Sequence, residues 1–410
     1  ESQMSGKWPG GFIKKTAPTV VGPVDGEGGT ASGIWTLDQA ADYEKQGLWP
    51  KPLVYRELWG IGGNESYGQL GILNGNFNVS SPVQVGTLTT WLRSAAGYHH
   101  SIFTKSDGTM WGVGRNTNGQ LAQGNTTLYT SPVQVGALTT WSKISSGSYF
   151  SAATKTDGTL WAWGLGTTGQ LGQGNTTTTS SPVQVGALTD WGTSLSVGSY
   201  GWMAVKTDGT LWGCGSNTVG ALGQGNTTNY SSPVQVGALT DWAEVAFLGD
   251  SALAVKTDGT LWGIGENNNG QLADGTVTNR SSPVQVGALT TWSTIGCGVA
   301  AGYGVKTDGT LWSWGQGVSG QLGLGNTTYY SSPVQVGALT TWTRVKGGYK
   351  WAAGVRTDGK LFTWGDNFVG ALGQGNTTDY SSPVQVGALT TWLKAETGPN
   401  SYGLFGFKSP

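Results

Sequence analysis

Residues 141–185 read WSKISSGSYFSAATKTDGTLWAWGLGTTGQLGQGNTTTTSSPVQV, and the reading of this stretch decides the fold. Trp141–Ser145 is a short alternating run, Ser151–Lys155 a second run of small and β-branched residues, and Leu160–Trp163 a third. Thr156-Asp157-Gly158-Thr159 between the second and third is a hairpin signal, since Asp-Gly tolerates the positive φ of a two-residue type I′ turn. A long Gly-rich loop follows. Pro182–Val185 is a fourth run, and its leading proline suits an edge strand that donates no ladder hydrogen bond at that point. Four short antiparallel strands of this kind cannot bury their apolar face alone.

The same unit is written repeatedly. The SPVQV phrase recurs with prolines at Pro82, Pro132, Pro182, Pro233, Pro283, Pro333 and Pro383, at intervals of 50 or 51 residues. The LWG phrase recurs with its first aromatic at Trp59, Trp111, Trp161, Trp212, Trp262, Trp312 and Phe362. The Asp-Gly turn occurs only six times, at Asp107, Asp157, Asp208, Asp258, Asp308 and Asp358. The first unit lacks its front half and the last its back half. Joined, Val54–Ile61 and Tyr402–Lys408 complete one unit, which predicts a closed ring with no open sheet edge. The fold expected is an all-β, seven-bladed propeller of four-stranded blades over residues 53–410, closed by pairing of N- and C-terminal strands.

Composition narrows the function classes. Charged residues are 11% of the chain and the net charge is −1, so no basic face is expected and nucleic acid is an unsuitable partner. No apolar run is long enough for a membrane-spanning helix. The two cysteines, Cys214 and Cys297, fall at slots held by other small or apolar residues in sister units, and read as buried substitutes. Of the 21 tryptophans, 16 sit at repeated positions and read as core between blades; Trp202 and Trp351 lie in the repeats outside those positions and are expected to make contacts.

The pattern GxxxxxAVKTDGTLWxWGxNxxGQLGxGxxxxxSPVQV resembles the repeat of the regulator of chromosome condensation, a seven-bladed propeller, over residues 53–408. The resemblance implies the fold. It does not imply the guanine-nucleotide exchange of the chromosomal protein: no unit carries a long insertion, there is no basic tail, and the family's histidine is approached only by His99 and His100.

Residues 1–52 do not repeat. They read as an extended docking arm with one short helix at about 37–46, capped by Thr36 and Gln39 and stopped by Gly47. Trp8, Trp35, Leu37, Tyr43, Leu48 and Trp49 are its expected docking residues. WPGGFIKKTAPTVVGP at 8–23 and GIWTLDQAADYEKQGLWP at 33–50 are similar to the N-terminal segment of structural proteins of marine bacteriophages. That similarity implies attachment to other virion proteins through residues 1–50.

No catalytic, metal or cofactor constellation stands out: six copies of one aspartate are turn formers, and adjacent histidines make a poor chelate. The three residues after each repeat glycine vary most between units. They are Tyr98-His99-His100, Ser148-Tyr149-Phe150, Ser199-Tyr200-Gly201, Val299-Ala300-Ala301, Tyr349-Lys350-Trp351 and Pro399-Asn400-Ser401, and in the odd unit out, where Leu248 replaces the glycine, Gly249-Asp250-Ser251. Crowded aromatics in loops on one face point to recognition, with Tyr98, His99, His100, Tyr149, Phe150, Tyr200, Trp202, Asp250, Tyr349, Lys350 and Trp351 as the expected contacts. The function expected is a non-enzymatic virion surface protein (capsid decoration, fibre or receptor-binding head), its propeller loops contacting a host surface protein or glycan or neighbouring subunits. The alternative is an extracellular protein-binding inhibitor, like a secreted β-lactamase inhibitor of similar propeller fold.

Overall fold

The computed structural model describes residues 56–64, 67–72, 77–248, 250–398 and 401–409. The expected helix at 37–46 lies outside them. The described residues form 28 strands in seven four-stranded sheets. In the unit quoted above, β7 (Trp141–Ser146), β8 (Phe150–Lys155), β9 (Leu160–Gly164) and β10 (Thr179–Gln184) are hydrogen-bonded in the order β10-β9-β8-β7. Pro182 therefore does stand on an edge strand, beside a break in the β9–β10 register between Thr179 and Val183. First strands of neighbouring blades meet one another around the axis.

The ring closes as the half-units predict. Its last sheet combines β27 (Trp392–Glu396) and β28 (Gly403–Lys408) with β1 (Glu57–Gly62) and β2 (Val79–Gln84). β1 and β28 are antiparallel in continuous register from Glu57↔Lys408 to Gly62↔Gly403.

The Asp-Gly hairpin differs from the type I′ expectation. Gly158 donates to the Lys155 carbonyl at 3.0 Å and Lys155 donates to the Thr159 carbonyl at 3.0 Å. Gly158 has φ +77°, whereas Asp157 is not among the residues with positive φ. This is a three-residue connection, a type I turn followed by a left-handed glycine. Asp157 is freed for a different task. Its Oδ1 accepts from the Thr159 amide at 2.9 Å and the Thr159 hydroxyl at 2.6 Å. That hydroxyl in turn accepts from Trp161 Nε1 at 2.8 Å. The TDGTLW wording thus fixes an indole as well as a turn. The Gly158 carbonyl reaches the next blade, accepting from the Trp191 amide at 3.0 Å.

Lys155 completes the group. Its Nζ lies 3.6 Å from the Trp161 ring and 5.0 Å from that of Trp141. Lys105 and Lys306 repeat this at 3.7 Å over Trp111 and 3.5 Å over Trp312. Each buries its stem on indoles while the ammonium faces the ring, a contact of about 0.5–2 kcal/mol.

The core lies between blades. Trp163 on β9 faces Ser151 on β8, Trp314 faces Gly302, and Trp364 faces Ala352. One blade reverses the sizes: Trp202 faces Cys214. The indole N–H of Trp163 donates to the Gln120 carbonyl at 2.9 Å, and that of Trp202 to the equivalent Gln170 carbonyl at 3.0 Å. One large side chain per pair, entering from either strand, fills the same space and meets the same acceptor.

Candidate functional site

The loops joining first to second strands emerge at one end of the blades, opposite the Asp-Gly turns. Five tyrosines from consecutive blades form a continuous arc there. Ring centroids lie 6.4 Å apart for Tyr200–Tyr149, 6.3 Å for Tyr149–Tyr98, 5.7 Å for Tyr98–Tyr402 and 5.0 Å for Tyr402–Tyr349. Phe368, 57% exposed, stands edge-on to Tyr402 at 5.5 Å. His99 lies between the tilted rings of Tyr98 at 4.0 Å and Tyr67 at 4.6 Å. The Arg115 guanidinium lies 5.5 Å from both the Tyr67 and Tyr149 rings. Burial, helped by Arg115, lowers the His99 pKa to about 4, so this imidazole is neutral at neutral pH. The remaining blades break the arc with Asp250 and Ala300. Asp250 is half-buried, and burial followed by the Glu266 charge raises its pKa.

Mutual ring contacts hold these side chains before any partner arrives, so their ordering cost on binding is low. Tyr98, His99, Tyr149, Tyr200 and Tyr349 therefore stand together as expected, with Lys350 Nζ 5.4 Å from the Tyr349 ring. Tyr67, Arg115, Phe368 and Tyr402 join them without having been singled out in the sequence. Tyr402 was legible in principle. The repeat glycine precedes the strand-ending cation by eight residues at Gly147–Lys155 but by ten at Gly398–Lys408. Counting back from Lys408 instead of forward from Gly398 places Tyr402, not Asn400, in the variable triplet.

Four expected contact residues are corrected. Phe150, Trp202 and Trp351 are 0%, 0% and 2% exposed, and His100 is fully buried. All four lie in second strands, because each strand begins at the third residue of its triplet. His100 Nε2 bonds Ser151 Oγ at 2.8 Å and Trp351 Nε1 donates to the Ser401 carbonyl at 3.2 Å. Burial lowers the His100 pKa to about 3. They support the arc from beneath. The expected arm residues Trp8, Trp35, Leu37, Tyr43, Leu48 and Trp49 lie outside the described residues.

Among the described residues no group of three or more His, Cys, Asp or Glu could hold a metal ion. Both cysteines are unpaired, and burial pushes each thiol up to about 12.

The bulk charge hides one local concentration. A cavity of about 610 Å³ follows the axis, lined by residues that include Arg93, Lys143, Arg344 and Lys346, with Glu244 and Glu396. Towards the tyrosine end the axis narrows at glycines: a Cβ on Gly147 would meet the Gly198 carbonyl at 1.9 Å, and one on Gly398 the Ala96 carbonyl at 1.7 Å.

Four-stranded blades, a shared closing sheet and inter-blade indole contacts define a closed repeat propeller. The chain belongs to the regulator of chromosome condensation (RCC1) repeat family: that model matches residues 107–154, 157–205, 208–254, 258–300, 308–354 and 358–401, more than half of the chain. A second model of the same repeat matches 141–170. Solved structures share the fold. Human WBSCR16 is 20% identical with a TM-score of 0.76, covering 87% of this chain and 98% of that one. Prp20p from Saccharomyces cerevisiae, studied with its binding to Gsp1p and histones, is 18% identical with a TM-score of 0.76, covering 87% and 92%. Yeast RCC1 (Prp20) bound to Kap60 is 17% identical at the same TM-score of 0.76, covering 87% and 89%. No curated protein matches the sequence.

Proposed function

We propose that this chain is a non-enzymatic binding protein whose tyrosine arc recognises a partner protein. The observation that carries this reading is the unbroken ring-to-ring contact from Tyr200 through Tyr149, Tyr98 and Tyr402 to Tyr349. Tyrosine gives large contact area at low entropic cost, and such anchors contribute about 2 kcal/mol or more each when central. Prp20p, studied with Gsp1p and histones, and yeast RCC1 in complex with Kap60 are propellers of this fold with protein partners. Their identity to this chain supports the platform and not the partner.

The setting we propose is a virion surface, with residues 1–52 attached to other virion proteins and the arc presented to a host surface protein. What supports that setting is the wording of residues 8–23 and 33–50. The binding reading is tested by capture from host envelope extract with the full chain and with Tyr98→Ala/Tyr402→Ala. Proteins retained by the native chain should fall at least about tenfold on the variant, matching the loss of one or two anchors. An identical captured set from both would remove the arc as the recognition face. Mass spectrometry of purified particles tests the setting separately, since an extracellular inhibitor would be absent from them.

A further inference from the structure

Past the repeat tryptophan, one place on each first strand recurs around the axis: Arg93, Lys143, Ser194, Glu244, Thr294, Arg344 and Lys394, with Ser194 following one extra residue because it pairs with Val205 as Arg344 pairs with Val355. In an array whose units are close to identical, this position is unusually varied, and its variation is not random. Arg344, Lys394, Arg93 and Lys143 come from four successive blades. Lys346, four residues after Trp342, adds a fifth cation. Arg56, which leads into β1, stands close enough to be felt: its pKa is lowered first by burial and then by Arg93 and Arg344.

Against these six cations stand two carboxylates. Glu396 is paired with Lys394 at 3.4 Å. Glu244 is itself largely buried, which raises its pKa, opposed by Lys346 and Arg344. Among the described residues, none of Arg93, Lys143, Arg344 and Lys346 has a carboxylate within ion-pair distance; all line the axial cavity of about 610 Å³. Lys143 Nζ donates to the Thr193 carbonyl of the next blade. Like charges gathered in a concave, partly desolvated wall repel one another, and the potential they create is focused by the cavity. Nothing in the packing requires them, because sister blades fill the same position with Ser194 and Thr294.

We propose that this cationic wall is a binding site for a compact multivalent oxyanion of the phosphate class. Two guanidiniums offer planar forks suited to phosphate oxygens, and the lysines supply point charges beside them. Ser293 lines the same cavity and offers a hydroxyl donor on the far side. The charge is one-sided, with Glu244 across the axis, which favours a short anion lying against four blades over a long polyanion threading the ring. The glycine constriction makes the entrance the end that carries the Asp-Gly turns, away from the tyrosines. The site is thus independent of the proposed recognition face.

The test is calorimetric titration of the full chain with inorganic tripolyphosphate and, separately, orthophosphate, at low and high sodium chloride. The expected result is saturable one-to-one binding of tripolyphosphate. It should be tighter than orthophosphate and weakened by salt in proportion to the charges neutralised. Arg344→Gln and Arg93→Gln should each weaken it at least about tenfold, as expected for a lost charge-assisted contact. Lys360→Gln removes one charge at an Asp-Gly turn outside the cavity and should leave binding unchanged. Arg93 and Arg344 are both exposed into the cavity, so their removal should not unfold the propeller, which a melting curve of each variant checks. No saturable binding at low salt would overturn the proposal. So would equal affinity for orthophosphate and tripolyphosphate, or the same loss in Lys360→Gln as in Arg344→Gln.

Discussion

Ring closure places a specific demand on Phe405. This side chain sits on β28, is 0% exposed, and meets Phe103 of the adjacent blade edge-on at 5.0 Å. Leu58, Phe407, Trp91 and Val113 pack in the same cluster. Phe405→Ala removes a buried ring at the seam between the shared closing sheet and the first complete blade. Core Phe→Ala changes cost about 3–5 kcal/mol, of which about 0.5–1.5 kcal/mol belongs to an edge-to-face partner. We expect a loss of about 4 kcal/mol, a large share of the ~5–15 kcal/mol that holds a typical domain. Leu393→Ala serves as the reference: Leu393 is on β27 of the same blade and 47% exposed, and its truncation should stay within about 0.5 kcal/mol. Urea unfolding followed by tryptophan fluorescence and by circular dichroism gives both values. A double-mutant cycle with Phe103→Leu isolates the ring pair, with a coupling of about 1 kcal/mol expected. If Phe405→Ala costs no more than Leu393→Ala, the closing sheet is not a structural seam and the ring is held elsewhere.

Further tests follow from the packing and the charges. Trp202→Ser alone should cost about 3–5 kcal/mol, and adding Cys214→Trp should restore at least half of it, because sister blades use that arrangement; no recovery in urea unfolding would reject the size exchange. Gly158→Ala should destabilise by well over the ~1 kcal/mol of a left-handed glycine alone, since its Cβ would lie 1.9 Å from the Thr189 carbonyl. Gly186→Ala, with φ +60° and nothing within 4 Å, should show only the backbone cost in the same assay. Unfolded histidine takes a proton near its ordinary value of 6.5, whereas folded His99 and His100 do so only at about 4 and about 3. The unfolded chain therefore binds more protons between those limits. Their contribution to stability is complete above pH 6.5 and is lost as pH falls through that window. His100→Phe, which copies Phe150, should flatten the decline of the urea midpoint between pH 6.5 and pH 4.

The repeat architecture was readable because turn chemistry and strand period are local. Pro182 marks an edge, Gly158 a left-handed turn, and the missing half-units a shared blade. What escaped reading depends on partners distant in the chain. Trp202 looks like a free aromatic until Cys214 is seen opposite it. Phe150, Trp351 and His100 follow a glycine and resemble loop residues, yet the backbone has already entered a strand whose side chains turn inward. Tyr402 was displaced by a two-residue insertion after Gly398. The cationic wall is the extreme case: its members are about 50 residues apart in a chain with 11% charged residues, and only the axis assembles them.

The β1–β28 register also settles the polarity of the molecule. Glu57 pairs with Lys408 at the end carrying the Asp-Gly turns, while Gly62 pairs with Gly403 beneath the tyrosines. The polypeptide thus enters the propeller at Arg56 and leaves it at Ser409 on the same side, beside the mouth of the axial cavity. A tether joined next to Ser409 would pull from that side and leave the opposite surface pointing outward. Immobilisation on a sensor at that point would therefore display the aromatic arc without burying it.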